Sequence, residues 1–175
     1  MPASSLNDLL TRENIEAELR QEHVTSTPEL TDFIYENAKK AFAILVYTRS
    51  TSSITGFFEY RFTDAYLPIQ FVRGDDYLEV ETLSRSPPAN LDALDVFTAT
   101  TGSDGWCLGD NRLHDFCERQ WQFIAPVFLK DQYLYNFHEK TILPFNFKGE
   151  EKSGGFSKVY QIRIHPAHLQ MPSPV

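Results

Sequence analysis

The residues able to do chemistry are few and scattered. Gly154 and Gly155 interrupt an extended stretch, within Ser153-Gly154-Gly155-Phe156-Ser157-Lys158-Val159-Tyr160. A Gly-Gly step supplies positive φ without strain, so this pair can close a hairpin turn. His165 and His168, with Cys107 and Cys117, are the residue types of a zinc set. The nine residues between the cysteines do not match usual zinc-ligand spacing, so buried thiols and surface histidines are expected. Asp75 and Asp76 with Glu79 and Glu81 have the oxygens of a divalent-cation site, but read better as a solvated acidic hairpin. Trp121 falls on a helical face and reads as core, whereas Trp106 lies in a loop beside Cys107. No nucleophile–base pair follows from any spacing.

The elements that must position these residues begin with helices. Thr11 reads as an N-cap, with Glu13 in the first turn and Ile15 and Leu19 one turn apart. Thr27 caps a second start, with Pro28 at the first helical position. From Leu30 through Phe33, Ile34, Ala38, Ala41, Phe42, Leu45 and Val46 the apolar residues share one helical face. Ser52 to Phe62 fits a short helix or a strand. Phe71-Val72 and Tyr77 to Val80 flank the turn at Gly74-Asp75-Asp76 and can pair as a small hairpin. Asp110 opens a helix carrying Leu113, Phe116, Cys117, Gln120, Trp121 and Ile124, which Pro126 ends. Thr141 to Phe147 reads as extended, Lys148 to Ser153 as a polar run, and Lys158 to Ile164 as an alternating strand.

Composition narrows the classes. With 42% hydrophobic and 23% charged residues, the 175-residue chain is neither collagenous nor wholly disordered. No apolar run approaches the roughly 20 residues of a membrane span. A net charge of −8 argues against general nucleic-acid binding, because an acidic chain gains nothing from counterion release. The charge is uneven: residues 148–175 stand at +2 and the rest at −10. Two cysteines, and no secretory signal at Met1-Pro2-Ala3-Ser4-Ser5, imply a cytoplasmic or nuclear protein that is not secreted.

The glycine segment resembles the loop that opens a protein kinase domain. In that family the loop covers the ATP phosphates, and its glycines let the backbone approach them. Against G-x-G-x-F-G-x-V, the central glycine is Gly154, the aromatic is Phe156 and the adenine-side valine is Val159. Lys152 and Ser157 occupy the first and third glycine positions. The stretch from Phe116 to His168 is similar to the lead-in of a group of fungal protein-kinase-like proteins. Their F-C-E-x-Q-W-x-F-x-A-P-V-F segment stands at Phe116 to Phe128 and their I-L-P-F at Ile142 to Phe145. Their G-G-F-S-x-V-Y stands at Gly154 to Tyr160 and their I-H-P-x-H at Ile164 to His168.

The resemblance implies a nucleotide-facing loop of Gly154, Gly155, Phe156, Ser157 and Val159, with ATP as the family cofactor and Ser/Thr phosphorylation as the activity of full-length relatives. The third-strand Lys, the H-R-D Asp, the metal-binding Asn and the D-F-G Asp find no match, and His114-Asp115-Phe116 lies inside a helical pattern. No catalytic or metal-binding residue is therefore assigned. The chain looks like a kinase-family N-terminal region cut off after two strands and inactive as it stands.

The expected fold is mainly α: a helical regulatory or interaction domain over 1–140 with a small β element. A β-hairpin over 141–168, resembling the first two strands of a kinase N-lobe, and a disordered tail over 169–175 complete it. The expected function is a regulatory or scaffolding region binding a protein partner, either a kinase domain or a second copy, with no nucleic acid and no membrane. The alternative is a stand-alone helical interaction module without nucleotide binding. The basic hairpin is expected to fold back on the acidic helical domain, or else to pair edge to edge with another chain.

Overall fold

The computed structural model describes residues 3–73, 78–84, 86–98, 110–129, 132, 134–154 and 157–170. Helices α1 (Ala3–Leu9), α2 (Arg12–Gln21), α3 (Pro28–Asn37), α4 (Lys39–Tyr47) and α5 (Ile54–Glu59) precede a hairpin of β1 (Ile69–Arg73) and β2 (Leu78–Thr82). Helix α6 (Asp110–Arg119) follows, then β3 (Phe128–Leu129), β4 (Phe145–Gly154), β5 (Ser157–Ile164) and β6 (Leu169–Gln170). The strands form three two-stranded sheets: antiparallel β1–β2 and β4–β5, and parallel β3–β6. The architecture is thus mixed α and β, a correction to the mainly α expectation, because β4 runs on through the polar stretch Lys148–Ser153. The register of β1–β2, with Phe71 opposite Val80, follows the hairpin read from the sequence.

Both threonine caps form. Thr11 Oγ1 accepts the Asn14 N–H at 3.3 Å, and Thr27 Oγ1 accepts the Leu30 N–H at 3.2 Å. The single long apolar face from Leu30 to Val46, however, is divided between two helices. The backbone departs from helical geometry at Ala38, with φ −135° and ψ 30°. The N–H groups of Lys40 and Ala41 donate to the Asp64 carboxylate, each at 2.9 Å, rather than to carbonyls of the preceding turn. A carboxylate brought from 24 residues away thus caps α4, and the chain turns between α3 and α4.

Among the described residues, three helix ends carry a residue at positive φ that is not glycine: His23 at 57°, Arg49 at 55° and Arg61 at 59°. Each sits where the next amide reaches back into the helix. Val24 donates to Leu19 O, Ser50 to Leu45 O and Phe62 to Phe57 O, each at 2.8 Å. Left-handed backbone costs such residues on the order of 1 kcal/mol. Burial of the following residue offsets it at two ends, where Val24 and Phe62 both enter the core.

The core centres on α4, whose Ala41, Phe42, Ile44 and Leu45 are fully buried. An aromatic cluster fills the space beside it. The Phe57 ring lies 4.7 Å from Phe62, 5.4 Å from Phe97 and 5.7 Å from Phe116, mostly edge to face. Phe97 comes from a 3-10 segment, Asp92–Phe97, that no periodicity marks in the sequence. Helix α6 tightens into a 3-10 turn at Gln120–Gln122, before Pro126 is reached. There the fully buried Gln120 bridges to β1: its Oε1 accepts the Ile69 N–H at 2.8 Å, and its Nε2 donates to Ile69 O at 2.7 Å and to Cys117 O at 2.9 Å. One amide therefore pairs both backbone groups of a core strand residue.

Phe57→Ala should lower the unfolding free energy by about 3–5 kcal/mol, because its ring meets three others that cannot all relax into the void. Urea denaturation measures this, and a loss no larger than that of the exposed-site control Glu29→Ala would show that the cluster does not support the fold.

Candidate functional site

The glycine segment stands at the tip of the β4–β5 ladder. Gly154 pairs with Ser157 as the last rung, and Val159 pairs with Lys152. Gly155 and Phe156 lie outside the described residues, as do the candidate acids Asp75 and Asp76, and Trp106 with Cys107. The ladder is two strands wide, and its side chains face outward: Phe147 is 46% exposed, Val159 58% and Ile162 40%. The expectation that the hairpin folds back on the helical body is therefore corrected. Two of its rings carry a cation from within the hairpin. Lys148 Nζ sits 3.9 Å over the Tyr160 ring, and the Arg163 guanidinium 5.7 Å from that of Phe147.

A carboxylate organises one face of the ladder. Glu151 accepts hydrogen bonds from the Tyr160 hydroxyl, from Ser153 Oγ at 3.1 Å and from Lys158 Nζ, which also forms a 3.0 Å ion pair with it. Tyr160, then Lys158, holds the Glu151 carboxyl below its ordinary range, and the same bond raises the Tyr160 phenol. This network ties the two strands of the hairpin together.

The base of the hairpin is clasped to the body. Phe128 on β3 meets Tyr135 at 5.0 Å, Phe137 at 5.9 Å and Phe145 at 6.3 Å. Beyond β5 the chain turns at Pro166–His168 and returns as β6, alongside β3. Leu169 and Gln170, assigned by sequence to the tail, are thus part of the structure. His168, expected at the surface, is 2% exposed; its Nδ1 donates to Pro126 O at 2.9 Å. Its Nε2 is buried without a hydrogen-bond partner among the described residues. No cluster of three His, Cys, Asp or Glu residues able to hold a metal ion occurs among the described residues.

A cleft of about 660 Å³ opens beside the clasp, lined by Trp121, Tyr135, Phe137 and His138 on one side and by Leu67, Pro68 and Asp64 on another. Sequence reading placed Trp121 in the core. It is buried, yet it walls this cleft and stacks on His138 at 4.6 Å. Burial raises the Asp64 carboxyl above its ordinary value, against the pull of the Lys40 and Ala41 amides. Those amides already use the carboxylate, so Asp64 serves the fold. Cleft and hairpin are separate surfaces, and the sequence signal for the cleft was no more than the density of aromatic residues between 121 and 137.

Comparison with protein-family models, curated proteins and solved structures finds no match for this chain. Among the described residues, no helix is long and apolar enough to cross a membrane.

Cys117 is buried, as its place on a helical face suggested, and burial together with Glu118 pushes its thiol up to about 12. In a Cys107→Ser variant at pH 8, iodoacetamide should therefore alkylate the native chain more slowly than the urea-unfolded chain, by on the order of a thousandfold. Equal rates in the two states would place the thiol in solvent.

Proposed function

We propose that this chain is a regulatory or scaffolding region of the protein-kinase family that acts by binding protein and has no phosphotransferase chemistry of its own. The β4–β5 ladder carries the reading. Two antiparallel strands close at Gly154 and Ser157, in keeping with the hairpin expected of a glycine-rich loop, and their apolar side chains stand uncovered. On a strand whose other edge no strand covers among the described residues, such side chains give an extended partner something to pack against. The sequence supplies neither an H-R-D nor a D-F-G motif, so phosphate positioning has no metal and no base.

The reading as a stand-alone interaction module draws on a different observation. Among the described residues, the hydrophobic core is made by residues between Leu6 and Phe123, without a contribution from the hairpin.

Calorimetry with ATP and magnesium should give no heat at micromolar concentrations, since two of the three glycine positions are lost. Radiolabelled phosphate should not transfer to the chain or to generic substrates. Tight binding or turnover abolished by Gly154→Val would overturn the claim of catalytic inertness. The binding role further requires that the exposed side chains be dispensable for stability. Val159→Asp and Ile162→Asp should each leave the melting temperature within about 2 °C of the parent. A fall as large as that of Phe57→Ala would mean that these side chains pack within the chain.

A further inference from the structure

The two edges of the exposed ladder are not equivalent. Strand β4 carries register irregularities between Phe145 and Phe147 and between Lys148 and Glu151. Such bulges twist an edge and interrupt its row of N–H and C=O groups. Strand β5 is paired without a skipped residue along the Ser157–Tyr160 half of the ladder, and no strand covers its other edge among the described residues. The charges differ as well. Strand β4 mixes Lys148, Glu150, Glu151 and Lys152, whereas Ser157 to Ile164 contains Lys158 and Arg163 and no acid. Residues 1–147, by contrast, carry a net charge of −10.

The geometry points to the β5 edge as a strand-addition site for an acidic extended segment of another protein. The inference rests on the protein-binding reading above and names the class of partner. Main-chain groups of β5 supply the pairing, and Lys158 and Arg163 select acidic side chains opposite them. Lys158 remains available because its pair with Glu151 is exposed, and such pairs exchange at little cost. Val159 and Ile162, on opposite faces of the strand, give apolar neighbours to a segment that intersperses acidic with apolar residues. A second copy is the poorer occupant. A second β5 would bring the same Lys158 and Arg163 and no acid to the seam, so nothing there neutralises either cation.

The test uses the full chain and two synthetic peptides of about eight residues, one alternating Glu with Val and one alternating Lys with Val. Amide hydrogen exchange across Ser157 to Ile164 is followed during titration. The Glu-Val peptide should slow exchange saturably, with an effect that weakens as salt is raised, and the Lys-Val peptide should not. The double variant Lys158→Glu with Arg163→Glu should bind the Glu-Val peptide about tenfold more weakly and gain response to the Lys-Val peptide. Equal protection by both peptides overturns the acidic-partner inference while leaving the binding reading in place. Protection by neither overturns both. A dimer in sedimentation whose β5 amides are protected without peptide assigns the edge to a second copy and overturns the inference.

Discussion

The turn at Ala38 sets the direction of the helix on which the rest of the body is assembled. Asp64 offers both carboxylate oxygens to the amides of Lys40 and Ala41, and so ends one helix and starts another. Helix α4 then runs through the middle of the body. It touches α1, α3 and α6, and also the 3-10 turns at Thr51–Ser53, Asp64–Tyr66 and Gln120–Gln122. Had α3 continued straight, the fully buried face of α4 would point elsewhere. The anion that favours a helix N-terminus is here supplied by the chain itself.

The molecule divides its polar chemistry between two regimes. Inside, Gln120 pairs the backbone of Ile69 completely, in a place where an unpaired group costs about 1–3 kcal/mol. Outside, on the β4–β5 ladder, charged groups lie over Tyr160 and Phe147 and gather on Glu151. The inner contacts define the fold. The outer ones keep a hairpin in shape without a core beneath it, which leaves its apolar side chains for something else to cover.

The two regimes meet at the clasp. The hairpin leaves the body near Phe145 and returns at His165, where the His165 N–H donates to Pro144 O at 2.8 Å. His168 then ties the returning strand to Pro126. Both ends of the hairpin are thereby fixed to the stretch that walls the aromatic cleft. The ladder is consequently anchored at its base, although its length is exposed.

Local physics was legible in the residues. The caps at Thr11 and Thr27, the apolar faces of α2, α3 and α6, the β1–β2 hairpin and the alternation of β5 all depend on neighbours within a turn or a rung. What escaped depends on distant partners. The break at Ala38 needs Asp64, the shortening of α6 accompanies a bridge from Gln120 to Ile69 across 51 residues, and the burial of His168 needs Pro126 across 42. The three helix ends at His23, Arg49 and Arg61 lacked the glycine that usually announces them. Of the loop residues singled out by their types, Gly154 and Ser157 close the ladder and Val159 lies exposed upon it; Gly155 and Phe156 lie outside the described residues. The position of the hairpin clear of the acidic body was not readable from net charge, because exposed, screened charges hold a segment weakly, whereas the contacts of His165 and His168 fix its base. The sequence by itself determined the two threonine caps, the apolar faces of α2, α3 and α6, the β1–β2 hairpin and the alternation of β5; only the tertiary structure decided that 54–59 is helix, that 92–97 and 169–170 join the fold, where the long helix breaks and which side chains stay uncovered. Periodicity and capping act over a few residues, whereas burial and remote hydrogen bonds exist only once the chain has closed on itself.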